Sequence, residues 1–209
     1  MFSLAVVVAT TSACGGGGGG GSGLPPPTPT PAPSAAPYQP LAVGDQWTYA
    51  CGLRGQQSTF TITNSVTGTQ TINGTTTYQF VLQIPSSPTQ ISTETMLLAN
   101  DPQNNLKLYG YMVNGAVQPV SPVVIAPASP VIGGAYNYPA PDGTTISRIF
   151  ETYTATNPTP YQGVYPRVAV YYESNATHNY GYASGVGIAE EDHGPNFQYD
   201  CLLSGLTLH

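Results

Sequence analysis

The chain has 209 residues, 24 of them Gly and 21 Pro, and only 7% are charged, against roughly 25% in an ordinary globular protein. Four Lys and Arg against ten Asp and Glu give a net charge of -6, which leaves no basic surface to neutralise nucleic-acid phosphates or to grip anionic lipid headgroups. A hydrophobic content of 40% with 15 Tyr excludes a wholly disordered chain, which is poor in aromatic residues and rich in charge.

The chain opens MFSLAVVVATTSAC. The apolar run over residues 2–9 is too short for a membrane span of about 20 residues and reads as the apolar region of a secretory signal. Thr11, Ser12, Ala13 and Cys14 resemble the lipobox of bacterial lipoproteins, in which small residues precede a lipid-modified Cys. The resemblance implies a signal peptide over residues 1–13, a diacylglycerol- and palmitate-type anchor on Cys14, and a place in the bacterial cell envelope, at the outer membrane. Thr11 stands where that pattern has Leu, no Lys or Arg precedes the apolar run, and the leader is short; the start of translation is therefore expected upstream.

Residues 15–21 are seven consecutive glycines, and residues 25–37 read PPPTPTPAPSAAP. The glycines are a flexible coil and the prolines favour extended polyproline II, giving a spacer on the order of 40 Å. Residues 14–37 are thus expected to be a disordered tether, and a proline-motif ligand is the alternative its P-x-x-P spacing allows.

From residue 38 to 209 the composition turns to Thr, Tyr, Val, Ile, Asn and Gly with a period of two, and this length suits one domain. Phe60, Ile62 and Val66 form one stripe; Tyr78, Phe80, Leu82 and Ile84 form the next. Asn73-Gly74 between them, and Asn114-Gly115 after LKLYGYMV, are two-residue hairpin signals. Residues 119–142 carry six prolines and read as a long loop or edge crossover. Further strands are expected over 146–153, from Val164 through Tyr172, and over 197–208. No stretch keeps helical spacing, so the expected fold is mainly β and antiparallel, a strongly curved open barrel or half-barrel, with a sandwich as the alternative.

With Cys14 acylated, Cys51 and Cys201 remain, one in the first strand of the domain and one in the last. In an exported chain they are expected to form a disulfide; two buried free thiols are the alternative.

Pro40, Leu41, Gly44, Trp47 and Tyr49 match P-L-x-x-G-x-x-W-x-Y, which resembles the opening of a group of envelope lipoproteins. Residues 182–188, YASGVGI, are similar to the GVG segment before their last strands. The resemblance implies a curved antiparallel sheet distantly like the half-barrels of periplasmic lipoprotein carriers, without implying carrier activity.

Chemistry-bearing motifs are sparse. His178, His193 and His209 are the only imidazoles, and there is no H-E-x-x-H, G-x-S-x-G or C-x-x-C. Glu190, Glu191, Asp192 and His193 form the densest ionisable cluster, with Glu190, Asp192 and His193 as metal-ligand candidates and a solvated turn as the plainer reading. Glu151 and Glu173 are candidates for a glycosidase-like carboxylate pair, or else partners for Arg148 and Arg167. Tyr109, Tyr111, Tyr171, Tyr180 and Tyr182, with Tyr136, Tyr138 and Tyr172 nearby, could line a groove for sugars, peptides or lipids, or pack as ordinary strand residues. Asn73-Gly74-Thr75 and Asn175-Ala176-Thr177 match glycosylation sequons but read as turns. No cofactor and no nucleic-acid partner is expected. The leading expectation is a non-enzymatic, ligand- or partner-binding envelope lipoprotein, with an envelope hydrolase or a structural and assembly protein as alternatives.

Overall fold

A computed structural model describes residues 36–173, 178–194 and 198–209. The expected leader, Cys14, nearly all of the tether, the second sequon and Phe197 lie outside the described residues. The strands are β1 (Gln46–Leu53), β2 (Phe60–Ile72), β3 (Thr75–Ser87), β4 (Gln90–Asn100), β5 (Leu106–Val113) and β6 (Ala116–Ala126), followed by β7 (Ala135–Pro139), β8 (Thr145–Thr154), β9 (Val168–Glu173), β10 (His178–Ala183), β11 (Gly187–His193) and β12 (Tyr199–Thr207). Among the described residues there is no helix.

All twelve strands belong to one antiparallel sheet, in the order β6-β5-β4-β3-β2-β1-β12-β11-β10-β9-β8-β7. Two six-stranded meanders therefore meet at the β1–β12 ladder. The sheet curls until its edges, β6 and β7, come together as an unsealed seam, so the domain that these strands form is a nearly closed barrel rather than a sandwich. Side chains cross the seam where ladder bonds do not: Tyr111 Oη donates to Pro139 O at 2.7 Å and Gln118 Nε2 to Pro141 O at 3.3 Å.

Local chemistry accounts for most of the elements. Asn73 and Gly74 have φ of 48° and 81°, and Asn114 and Gly115 have 51° and 79°, the doubly positive pair that a type I′ hairpin turn requires. Pro119 and Pro122 lie in β6, and the proline-rich stretch supplies both edge strands; a residue without an N–H is tolerated where no partner strand needs one. Val164, expected in a strand, is 49% exposed. β9 starts only at Val168 because Pro158, Pro160 and Pro166 hold residues 155–167 as a loop.

Inward positions fill the barrel with Trp47, Tyr49, Ile62, Phe80, Leu98, Leu108, Phe150, Tyr171 and Leu203. Cys51 and Cys201 oppose each other in the β1–β12 ladder, both fully buried and disulfide-bonded, with Cα atoms 4.1 Å apart. Residues 190–193 are not the solvated turn expected for them: they belong to β11, with Glu191, Asp192 and His193 buried. The turn follows one residue later, at Gly194 with φ 83°.

Candidate functional site

The two motifs singled out in the sequence meet in space. Trp47, on β1, donates its indole N–H to Val186 O at 2.6 Å, and Tyr49 donates its hydroxyl to Ile188 O at 2.9 Å. Gly187 lies between them with φ 102°, and a Cβ there would stand 2.8 Å from Trp47 Nε1 and 2.9 Å from the Gln39 amide. Only glycine permits both that backbone and that contact. This junction anchors β1 against the start of β11, which is an architectural role.

Inside the barrel a polar network occupies the end near the β3–β4 and β7–β8 hairpins. Arg148, on β8, pairs with Glu173, on β9, at 3.1 Å. It also donates to Tyr182 Oη at 3.2 Å and Tyr138 Oη at 3.1 Å, and its guanidinium lies 4.6 Å from the Tyr180 ring centroid. Glu173 further accepts from Tyr138 Oη at 2.6 Å and faces His178 Nδ1 at 3.0 Å. Burial alone would raise the Glu173 carboxyl, but the His178 hydrogen bond and the Arg148 charge outweigh it and hold it at about 2. Glu94, on β4, goes the other way: burial, reinforced by the Glu173 charge, pushes it up to about 7. Next to this group, His193 Nε2 lies 3.2 Å from Glu191 Oε2, and Asn64 Nδ2 donates to Glu191 Oε1 at 2.9 Å. The free space inside is small. One cavity of about 40 Å³ is bordered by Glu94, Glu173 and His178, and another of about 10 Å³ lies among Phe80, Met96 and Ile125. A drug-sized ligand needs on the order of 300 Å³ or more.

The outer wall presents a larger space. A cleft of about 220 Å³ lies over β9, β10 and β11, roofed by the loop after β8. Glu190 and Asp192 face it because they alternate with the inward Glu191 and His193. Gly181 sits on its floor, hydrogen-bond ladder neighbour to both Val170 and Glu190. From the roof, Asn157 donates through its backbone and side-chain nitrogens to Glu190, at 3.2 and 2.8 Å. Arg54 closes one end, bonded to Asp192 at 2.7 Å and to Asp200 at 3.0 Å. Burial raises the Asp192 carboxyl to about 7, the Arg54 charge opposing and the Asp200 and Glu190 charges assisting; burial likewise raises Glu190.

The sequence candidates separate accordingly. Glu190 and Asp192 share the cleft, but His193 points into the barrel, so the three do not converge; among the described residues no three His, Cys, Asp or Glu side chains could hold one metal ion. Glu151 is exposed on the outer face while Glu173 is buried inside, so that carboxylate pair is divided by the sheet, and Glu173 instead partners Arg148. Tyr111, Tyr171, Tyr180 and Tyr182 are core residues, with Tyr171 and Tyr182 ring centroids 5.8 Å apart. Tyr109 is half-buried on the opposite face of β5. They form packing, not a groove.

Residues absent from those candidates complete both sites: Asn64 and Glu94 inside, Arg54, Asn157, Asn179 and Asp200 outside. Asn64 and Glu94 had a readable signal, since Asn64 interrupts an inward stripe, Ile62-x-Asn64-x-Val66, and Glu94 begins one, Glu94-x-Met96-x-Leu98. Arg54 and Asn157 lie in connections and had none.

No protein-family model matches the chain, and no curated protein matches it. Among solved structures, it is similar to a Bacteroides fragilis protein inferred to be exported, with a YmcC-like fold, at 12% identity and a TM-score of 0.46 over 83% of this chain and 100% of that one. It is also similar to a protein of Parabacteroides distasonis inferred to be a lipoprotein, at 10% identity and a TM-score of 0.37 over 83% of this chain and 99% of that one.

Proposed function

We propose that the protein is a lipid-anchored protein of the bacterial cell envelope, held at the outer membrane through Cys14, whose β domain recognises a ligand or partner with its outer surface. The observation that carries the surface assignment is the filled interior: among the described residues Trp47, Phe80, Phe150 and the inward tyrosines leave cavities of about 10 and 40 Å³, room for a few waters, which is too little for an acyl chain or sugar. The anchor rests on the lipobox resemblance at Cys14 and on the glycine- and proline-rich residues that follow it. Two or more acyl chains hold stably, at about 0.8 kcal/mol per buried CH₂, and the tether lets the domain stand off the bilayer.

Metabolic labelling with a palmitate analogue tests the anchor: wild type incorporates the label and fractionates with membranes, and Cys14→Ser does neither. Equal labelling of the two would refute it. A hydrolase reading draws on one observation, the shared position of Glu190 and Asp192 in the cleft with a carboxyl raised to about 7. Turnover of a nitrophenyl glycoside that vanishes in Asp192→Asn would favour it over recognition.

A further inference from the structure

The outer cleft is short of hydrogen-bond donors. Asp192 is 4% exposed. Its Oδ2 accepts from Arg54 and from Asn179 Nδ2, and its carboxyl lies within side-chain hydrogen-bonding reach of the Asp200 carboxyl, but its Oδ1 is buried without an N–H donor, and so is Asn179 Oδ1. Both residues line the cleft, as does Glu190. Buried acceptors without donors are costly to keep, and a bound group bringing N–H donors would recover that cost. Charge points the same way. Glu190, Asp192 and the adjacent Asp200 face one guanidinium, Arg54, so the site is net negative around a concave floor. That floor is low, made by Val170 and by Gly181, where the nearest atoms to an added Cβ would be Val168 Cγ2 at 3.5 Å and Glu190 at 3.6 Å, ordinary van der Waals contact.

We propose that this cleft binds a primary alkylammonium group, the ammonium set against Asp192 Oδ1, Asn179 Oδ1 and Glu190, and its alkyl stem lying over Gly181 and Val170. The assignment rests on the surface-recognition reading above and names the chemistry of what is recognised. An ammonium supplies three donors and one positive charge, matching two acceptors that lack N–H donors and the carboxylate excess. A neutral polyol would supply donors alone, and an anion would meet the carboxylates unfavourably. The groups that face Asp192 are Glu190 on its own strand, Asp200 on β12 and Arg54 after β1; with its carboxyl at about 7, it becomes a better cation partner as the pH rises.

The test is calorimetric titration of the full chain in detergent micelles with cadaverine, and with 1,5-pentanediol as the neutral isostere. Cadaverine is expected to bind saturably and the diol not at all. Asp192→Asn should weaken cadaverine binding by about tenfold or more. Gly181→Val, which fills the floor without altering charge, should weaken it comparably, and wild-type affinity should rise between pH 6 and pH 8. Equal binding of the diol, undiminished binding by Gly181→Val, or no cadaverine binding would each overturn the assignment; thermal melts of both variants establish that they are folded. Diol binding that Gly181→Val abolishes would overturn the ammonium assignment while leaving recognition by the outer surface in place, so the two failures are distinguishable.

Discussion

Glu94 and Glu173 reach the same interior space from β4 and β9, and their surroundings shift them in opposite directions. Glu173 is held at about 2, so its contribution is fully present above the unfolded value near 4.5 and is lost as the pH falls through 2. Glu94, at about 7, takes up its proton at a higher pH when folded than when unfolded. Between about 4.5 and 7 the folded chain binds more protons, and this group's contribution to stability therefore falls as the pH rises. Glu94→Gln should flatten that part of the stability profile and raise the denaturation midpoint at pH 8 relative to wild type, measured by urea titration across the range. An unchanged profile would show that Glu94 is hydrated like an exposed carboxylate. At this scale the sequence was partly legible. Asn64 and Glu94 declare themselves as polar residues in line with apolar stripes, but that Glu94 meets Glu173 depends on the closure of the sheet, which brings together strands distant in sequence.

The strands themselves follow from local pattern where alternation is clean and turns are marked. β2, β3, β5 and β6 are set by Asn73-Gly74 and Asn114-Gly115, and both hairpins could be read directly. The proline-rich region was legible as an edge but not as two strands, because β6 still pairs with β5 along its length, Pro119 itself standing opposite Gly110. Those prolines leave the free edge of β6 without part of its N–H row, which discourages pairing with another chain. Pro119→Val with Pro122→Val should restore that row and shift a measurable fraction of the protein into dimers or larger species on size-exclusion chromatography, while the single chain keeps its fold. A monomer profile identical to wild type would place the protection in the seam contacts instead. The loop over β9–β11 was the least legible element. Asn157 binds Glu190 across 33 positions of sequence, and nothing in either residue's neighbours specifies that meeting. The same is true of the cleft it roofs.

For the molecule as a whole, the Cys51–Cys201 bridge joins the two meanders where they meet, across a sequence separation of 150 residues. In the chain-entropy model a closed loop of that length contributes roughly 5 kcal/mol. Cys51→Ser with Cys201→Ser should therefore lower the unfolding free energy by about 3–5 kcal/mol in urea titrations, and reduction of the wild type should reproduce most of that loss; a loss under about 1 kcal/mol would mean that residual order in the unfolded chain already supplies the constraint. The pairing could be anticipated from the export reading and from the positions of the two cysteines in the outermost strands of the domain, whereas the closure of the barrel could not, since a seam is a property of accumulated strand curvature.

The central position of β1 and β12 in the sheet order also governs timing. Every other ladder joins neighbours in the chain and can form as soon as a hairpin is complete, whereas β1 must wait, one edge unpaired, for a strand about 150 residues later. Such long-range pairing is slow to nucleate. A nascent chain of this design can pair its hairpins one by one but cannot close the sheet until its last strand has been made. Closure and oxidation then coincide, when β12 arrives with the second sulfur.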